Sequence, residues 1–175
     1  MKSNIALIGF MGTGKTAAGR LLAEKLGRGF IELDALIEQM AGKTIPEIFT
    51  QDGETAFREL EIEATRDVAG KENTVVACGG GVVLNQINID RLRKHSVIVY
   101  LTASPEAILE RTLSDTNERP LLVAEDKTGE VRKLLEFRQP FYERAADITV
   151  DTSGLEVAGV VEQIITGLKK NESDR

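Results

Sequence analysis

The sequence predicts an α/β fold in which helices cover both faces of a parallel sheet, a three-layer α/β/α arrangement. Five short apolar runs alternate with segments whose apolar residues recur at helical spacing. The runs cover 5–8, 30–33, 74–77, 97–101 and 147–150. The first run leads directly into a glycine-rich loop and then into a helical pattern, which is how a βα unit begins. A length of 175 residues is typical of one domain, and we expect residues 1–175 to form it.

The loop after the first strand carries a nucleotide-binding motif. It reads Gly9-Phe10-Met11-Gly12-Thr13-Gly14-Lys15-Thr16 and matches the phosphate-loop pattern G-x-x-x-x-G-K-[ST] at every fixed position. Its N–H groups, at the N-terminus of a helix, favour bound phosphate. We expect Lys15 to reach the β- and γ-phosphates of a nucleoside triphosphate and the Thr16 hydroxyl to bind Mg²⁺. The predicted nucleotide-binding residues of this loop are Gly12, Thr13, Gly14, Lys15, Thr16 and Ala17.

Helix boundaries are marked by glycines and by one capping box. Gly27 is typical of a helix C-terminus, and a helix over 35–41 should stop at Gly42 for the same reason. Thr44-Ile45-Pro46-Glu47 is a capping box with an early proline, which predicts a helix that ends at Gly53. Further helices are predicted over 56–68, 105–111, 131–142 and 155–168, before a polar tail, 169–175, that we expect to fray.

The segment 112–126 differs from the rest because its apolar residues follow no period. Polar residues and Pro120 interrupt it throughout. We interpret it as a mobile lid over the site, of the kind that excludes water during phosphoryl transfer.

The composition excludes several classes of function. The net charge of −6 argues against nucleic-acid binding, because neutralising phosphates requires a basic face. No stretch approaches the roughly 20 apolar residues of a membrane span, so we expect no membrane partner. Cys78 is the one cysteine of the chain, which rules out an intrachain disulfide and is consistent with the cytoplasm. We expect a monomer.

Three unusual stretches follow strands of the predicted sheet, where open parallel sheets bind their ligands. They are the phosphate loop (residues 9–16), Glu32-Leu33-Asp34, and Gly79-Gly80-Gly81, hereafter the triple glycine. Asp34 is placed to accept or orient a hydroxyl proton during phosphoryl transfer, although an N-cap before the next helix is the alternative. The third strand ends in the triple glycine without the aspartate that commonly supports Mg²⁺ there. A small polar ligand could lie against this glycine backbone, or the glycines could form an ordinary flexible loop.

Arginines supply candidate anion-binding groups. Arg58 and Glu61 stand three residues apart on one face of a predicted helix. Glu61 could hold the guanidinium ready for a carboxylate or phosphate, or the two could form a surface ion pair that contributes little. The same two alternatives, ligand clamp or solvated face, stand for Arg119 and Arg138.

Together these residues resemble the shikimate kinases, a family of the nucleoside-monophosphate-kinase branch of phosphate-loop folds. The resemblance extends from residue 4 to about 168. It is carried by the phosphate loop, by Phe57-Arg58-x-x-Glu61, by the triple glycine, and by Arg119-Pro120-Leu121-Leu122 followed by Arg138. It implies the phosphate-loop kinase fold with five strands in the order 2-3-1-4-5. It also implies ATP-dependent phosphorylation of the 3-hydroxyl of shikimate, a step of chorismate and aromatic amino-acid biosynthesis.

The resemblance also implies roles for single residues. Lys15, Asp34 and Arg119 would be catalytic, and Arg111 and Arg119 would join the phosphate loop in binding ATP. Shikimate would meet Asp34, Arg58, Gly80 and Arg138, supported by Glu61, Gly79 and Gly81, so that the helical segment 34–62 is its binding region. A carboxylated polyol independently requires arginine forks beside an aspartate, which agrees with this assignment.

One position departs from the family. Shikimate kinases usually carry Asp-x-Asp after the second strand, whereas this chain has Glu32-Leu33-Asp34. The first acid commonly helps to hold Mg²⁺ through water, so Thr16 is the expected direct ligand and Glu32 the water-mediated one. The longer arm of Glu32 shifts this carboxylate by roughly one methylene relative to aspartate.

Three other functions remain as alternatives. The first is another small-molecule kinase of the same fold, such as a gluconate-like kinase, because gluconate is also a carboxylated polyol. The second is a non-catalytic nucleotide-binding paralogue, marked by Glu32. The third, a GTPase-like switch, is disfavoured because Asp151-Thr152-Ser153-Gly154 comes far too late for its Asp-x-x-Gly motif, and Asn-Lys-x-Asp is absent.

Overall fold

The computed structural model of the protein describes residues 2–114 and 127–174. Within them, five parallel strands form one sheet in the order β2-β3-β1-β4-β5, as the sequence analysis expected. The strands are β1 (Asn4–Ile8), β2 (Gly29–Glu32), β3 (Thr74–Ala77), β4 (Ser96–Thr102) and β5 (Ile148–Asp151). All five predicted strands are therefore confirmed, with ends that differ by one residue at most.

Helices connect the strands of this part of the chain. They are α1 (Lys15–Leu26), α2 (Leu33–Ala41), α3 (Ile45–Gln51), α4 (Glu54–Ala69), α5 (Gln86–His95), α6 (Pro105–Ser114), α7 (Lys127–Ala145) and α8 (Val157–Ser173). A short 3₁₀ turn, Val82–Leu84, lies between β3 and α5.

Alternate residues of the central strand face two separate apolar cores. Ile5 and Leu7 of β1 pack with residues of α1 and α8, such as Leu22 and Ile164. Their neighbours Ala6 and Ile8 belong to the second core, which α2, α4, α5 and α7 complete. Because successive strand residues point to opposite faces, these two cores give the three-layer α/β/α arrangement that the sequence predicted.

The predicted helix ends are confirmed by backbone geometry. Gly27 and Gly42 end α1 and α2 in the left-handed conformation, with φ of 62° and 69°. At α3, the Thr44 side chain accepts from the Glu47 N–H while the Glu47 carboxylate accepts from the Thr44 N–H, the reciprocal pair of a capping box. Gly53 then separates α3 from α4 with φ of 89°.

Four helices differ clearly from the predicted ones, and one of them is α6, which runs to Ser114 instead of ending near Arg111. No helix had been assigned to the stretch that forms α5, which carries few apolar residues and leaves one of them, Ile87, exposed. Helix α7 begins at Lys127, four residues before the predicted start. Helix α8 runs through Ser173, so the predicted fraying of 169–175 is wrong for most of that tail. Lys170 in the last turn of α8 interacts favourably with the helix dipole.

Among residues 2–114 and 127–174, no helix has the length and apolar character needed to cross a membrane.

Thr44→Ala should lower the free energy of unfolding by about 1 kcal/mol, because it removes the N-cap of α3. Urea denaturation followed by circular dichroism measures the change. Thr50→Ala is the matched control, since Thr50 is an exposed residue of the same helix whose hydroxyl donates to the Pro46 carbonyl. Equal losses in the two variants would mean that the capping box does not stabilise the fold.

Candidate active site

The site lies at the carboxyl ends of β1 and β3. Their pairing continues past β3 through a hydrogen bond from the Cys78 N–H to the Leu7 carbonyl, 3.0 Å long. This brings the triple glycine beside the phosphate loop, since a Cβ on Gly80 would stand only 3.6 Å from the Met11 nitrogen. A cleft of about 1060 Å³ opens between them and continues to the start of α3.

The cleft brings together residues that lie far apart in the sequence. Of the predicted site residues, Gly12, Gly14, Lys15, Thr16, Ala17, Glu32, Asp34, Gly79, Gly80 and Arg111 line it. Its rim also contains residues that the sequence analysis did not select, namely Met11, Glu38, Thr44, Ile45, Pro46, Glu47, Ala77 and Cys78. Of these, Cys78 is buried, and burial raises the pKa of its thiol to about 12, so it remains neutral.

The phosphate loop has the form that anion binding requires. Gly14 is the N-cap residue of α1, with a left-handed φ of 82°. The loop therefore leads directly into the helix N-terminus, where backbone N–H groups bind anions. Thr13 is buried and its hydroxyl donates to the Phe10 carbonyl. The Lys15 ammonium group donates to the carbonyls of Gly9 and Phe10 at 2.7 and 2.9 Å, which holds it across the loop.

Asp34 lies in the first turn of α2 rather than at its N-cap. The N-cap residue is Glu32, whose side chain makes no cap hydrogen bond. The alternative role of Asp34 as a cap is therefore wrong. Its carboxylate presses against the triple glycine, because a Cβ on Gly79 would stand 2.7 Å from Asp34 Oδ1 and 3.3 Å from Glu61 Oε2. A side chain at position 79 would displace one of these two carboxylates.

Arg58 and Glu61 form a partly buried ion pair on α4. Arg58 Nη1 donates to Glu61 Oε1 at 3.0 Å, and Nη2 donates to Glu54 at 3.3 Å. Glu61 is fully buried, so its alternative role in a surface ion pair is wrong. The guanidinium lies so close to the triple glycine that a Cβ on Gly81 would meet Arg58 Nη1 at 2.2 Å. Glycine at 81 thus makes room for the guanidinium.

Arg138 is only 2% exposed and lies on α7 beside Gly80. A Cβ on Gly80 would stand 3.3 Å from Arg138 Nη1, and the guanidinium carbon lies 5.9 Å from the centre of the Phe10 ring. Within the described part of the chain, Arg138 Nε has no hydrogen-bond partner. The solvated alternative for Arg138 is therefore wrong, and a buried guanidinium of this kind favours an anionic partner.

The buried charges influence one another. Burial raises the pKa of Glu61, while Arg58 and, more weakly, Arg138 act to lower it and Asp34 acts to raise it. Arg58 already pairs with Glu61 and Glu54, whereas Arg138 Nε has no partner among the described residues, so Arg138 retains a donor for a further anion.

Arg111 joins the phosphate loop to the end of β5. It donates to the Gly12 carbonyl at 3.2 Å and to the hydroxyl and carbonyl of Thr152 at 3.1 and 3.2 Å. Thr152 is buried, and its own hydroxyl donates to Thr102. The sequence analysis missed Thr152, whose position directly after the last strand was the available signal.

Tyr142 is a second missed residue. It is fully buried, and its hydroxyl donates to the Gly80 carbonyl. Its position four residues after Arg138 places both on one face of α7, which was the available signal.

Two predictions fall outside the described residues. Arg119 and residues 115–126 of the predicted lid belong to the segment that the structure does not describe, whereas residues 112–114 form the end of α6, so the lid prediction is wrong for them. The roles of Arg119 and of residues 115–126 stay predictions.

The donors that line the cleft are compatible with Mg²⁺. The described residues contain no cluster of three or more His, Cys, Asp or Glu side chains that could hold a metal ion. Mg²⁺ bound to nucleotide does not need such a cluster, because phosphates and water supply most of its ligands. Thr16 and Glu32, one hydroxyl and one carboxylate, both line the cleft and are the hard oxygen donors that this ion prefers.

Comparisons with known proteins agree on one family. The family model described as "Shikimate kinase" matches residues 11–169. A shikimate kinase from Caldanaerobacter subterraneus subsp. tengcongensis is 50% identical over 162 residues, which are 93% of this chain and 94% of the relative. The solved structure of a shikimate kinase from Acinetobacter baumannii in complex with shikimate superposes with a TM-score of 0.92 at 38% identity, over 97% of this chain and 94% of that one.

A gluconokinase from Sinorhizobium meliloti 1021 is also similar in structure, with a TM-score of 0.62 at 23% identity, over 97% of this chain and 93% of the other. At this identity the similarity reflects the fold alone.

Glu61→Gln should change how stability depends on pH. Because the pKa of Glu61 is raised above its ordinary value of 4.5, the folded protein binds this proton more tightly than the unfolded chain. The carboxyl group therefore lowers the free energy of unfolding as the pH rises from the ordinary pKa through the folded one. Glutamine does not titrate, so the stability of the variant relative to wild type should rise across that window.

Urea denaturation between about pH 4 and pH 8 measures this difference. Glu59→Gln, which removes one charge from the exposed side of α4, is the matched control. A difference between wild type and Glu61→Gln that stays constant with pH would contradict the raised pKa.

Proposed function

We infer, because the chain belongs to the shikimate kinase family, that it transfers the γ-phosphoryl group of ATP to the 3-hydroxyl of shikimate. The products are shikimate 3-phosphate and ADP, in a step of chorismate and aromatic amino-acid biosynthesis. The observation that carries this conclusion is the packing of Arg58 and Arg138 against the triple glycine, next to Asp34 and the phosphate loop. An anion site formed by Arg58 and Arg138 thus lies beside Asp34, the carboxylate that orients the hydroxyl. Both adjoin the phosphate loop, where the γ-phosphate binds.

For the acceptor, we propose that Arg58 and Arg138 bind the carboxylate of shikimate. Both guanidinium groups are held by the fold, Arg58 by its ion pairs with Glu61 and Glu54 and Arg138 by burial on α7. A guanidinium held in this way loses little side-chain entropy when it meets a carboxylate. The backbone of Gly80 contacts the substrate, and Gly79 and Gly81 leave room for it. The chain is a single kinase domain, in which the helical segment 34–62 forms most of the shikimate-binding part.

For the transfer, Asp34 accepts the hydroxyl proton or orients the hydroxyl as its oxygen bonds to the γ-phosphorus and the bond to the leaving ADP breaks. Lys15 is held by two loop carbonyls, and we propose that it turns from them to the phosphate oxygens. Residues 12–17 supply the phosphate loop, and Arg111 borders the adenine beside Thr152. The proposed role of Arg119 in stabilising the phosphoryl group rests on the family resemblance.

We also propose that Mg²⁺ binds with ATP. The Thr16 hydroxyl would hold it directly, and Glu32 through water, since both line the cleft. When bound, the ion neutralises charge on the β- and γ-phosphates.

A monomeric state and a cytoplasmic location are proposals as well. The buried free thiol of Cys78 is consistent with the second.

The acceptor decides between the proposed function and its alternatives. We expect ADP release with Mg-ATP and shikimate, and none above background with gluconate or nucleoside monophosphates. Lys15→Ala, which lacks the phosphate clamp, should abolish turnover while remaining folded. Phosphorylation of gluconate in place of shikimate would overturn the proposal, and nucleotide binding without turnover on any acceptor would favour a non-catalytic paralogue.

Asp34→Asn should lower kcat at least about 100-fold, because it removes the carboxylate that handles the hydroxyl proton. The KM for ATP should change less than about threefold, since we place Asp34 on the acceptor side. Asp67→Asn, on the exposed face of α4, is the matched control for loss of an aspartate charge. A collapse of nucleotide affinity would instead assign Asp34 to the Mg²⁺ site.

Glu32→Ala should raise the Mg²⁺ concentration required for half-maximal activity by about 10- to 100-fold, the usual effect of losing a group outside the metal's direct ligands. Glu32→Asp should change it only modestly, because the charge is kept. Titration of Mg²⁺ in the kinase assay measures both, with Glu24→Ala on the exposed side of α1 as control. An unchanged Mg²⁺ requirement in Glu32→Ala would remove Glu32 from the metal site.

A further inference from the structure

A hydrogen bond joins α7 to the middle of the triple glycine. The Tyr142 hydroxyl donates to the Gly80 carbonyl over 2.5 Å. The Tyr142 ring is fully buried and stacks on Tyr100, with ring centres 5.1 Å apart and planes 21° from parallel. Packing of the ring therefore fixes the position of the phenol hydroxyl independently of its hydrogen bond to the carbonyl.

The carbonyl that Tyr142 holds differs from its two neighbours. The Gly79 carbonyl accepts from the Val82 N–H and the Gly81 carbonyl from the Leu84 N–H, so the turn itself orients both. The Gly80 carbonyl is oriented from outside the turn, by a side chain 62 residues further along the chain. Because the trans peptide is planar, fixing the Gly80 carbonyl also fixes the direction of the Gly81 N–H on its opposite side.

The same helix supplies Arg138, one turn before Tyr142. Its Nη1 lies 3.3 Å from the point where a Cβ on Gly80 would stand. Two side chains from one face of α7 therefore lie at Gly80, one bonded to its carbonyl and one beside the space that a Cβ would occupy. The hydrogen bond sets the distance between the helix that carries the buried guanidinium and the backbone that faces it.

We propose that Tyr142 is a positioning residue for the acceptor site, whose hydroxyl fixes the Gly80–Gly81 peptide at a set distance from Arg138. This inference rests on the proposed function, because it assigns the peptide and the guanidinium to shikimate. Tyr142 is fully buried and acts through Gly80 rather than by touching the substrate. Burial raises the pKa of the phenol, so the hydroxyl remains a donor at any pH at which the enzyme is assayed.

Tyr142→Phe tests the proposal, because it removes the hydroxyl and keeps the stacked ring. We expect the KM for shikimate to rise about three- to tenfold, the range expected for loss of one hydrogen bond. The KM for ATP and the kcat should stay within about twofold of wild type, since the phosphate loop and Asp34 are untouched.

Tyr100→Phe is the matched control. It removes the same atom from the other ring of the stack, where the hydroxyl is hydrogen-bonded to the Thr102 side chain. The control should leave both KM values unchanged. Equal effects of the two variants, or a Tyr142→Phe enzyme with an unchanged KM for shikimate, would overturn the proposal and leave Tyr142 as a packing residue.

A second pair of variants keeps the test decisive if Tyr142→Phe does not fold. Tyr142→4-aminophenylalanine retains an N–H donor at the ring position, whereas Tyr142→4-methylphenylalanine has similar bulk and no donor. The proposal expects a KM for shikimate near wild type for the first and a raised one for the second, and equal values would contradict it. Wild-type enzyme in the same assay distinguishes failure of the Tyr142 proposal from failure of the proposed function. A wild type that does not phosphorylate shikimate refutes the proposed function itself.

Discussion

The site depends on the parallel pairing of β1 with β3 and its extension from the Cys78 N–H to the Leu7 carbonyl. That hydrogen bond carries the pairing one residue beyond β3, so the triple glycine starts where the phosphate loop starts. A Cβ on Gly80 would lie 3.7 Å from the Gly9 carbonyl oxygen, so even the smallest side chain at position 80 would touch the phosphate loop. Because both loops begin from the same edge of the sheet, a ligand bound by one lies within reach of the other.

Glycine is required at positions 79 and 81 because charged side chains occupy the space beside them, and not because the loop must be flexible. Asp34 occupies the space that a Cβ on Gly79 would take, and the Arg58 guanidinium occupies the space at Gly81. The charged groups thereby reach the backbone of the triple glycine itself. A small acceptor bound against that backbone meets a carboxylate and a guanidinium without needing either side chain to extend.

Because Glu61 and Arg138 are buried, the charge of each depends on its neighbours and favours binding of a partner with the opposite charge. Glu61 has no exposed surface, and the ion pair with Arg58 offsets only part of its desolvation cost, so its pKa remains raised. Arg138 is nearly as buried and has an Nε without a partner among the described residues. A substrate carboxylate would supply the hydrogen-bond acceptor that this Nε lacks, and Arg58 lies against the same triple glycine.

The sequence by itself determined the elements whose signals are local. The phosphate loop, the five strands, the glycine helix ends and the capping box of Thr44 each depend on a few adjacent residues, so their patterns could be interpreted without tertiary contacts. Only the tertiary structure excluded a solvated position for Arg138, a surface ion pair for Arg58 and a capping role for Asp34, because burial and neighbours across the sheet cannot be inferred from spacing. Tyr142 acts on a glycine 62 residues away. Contacts of that kind are fixed by how α7 packs on the sheet, and no local pattern encodes them.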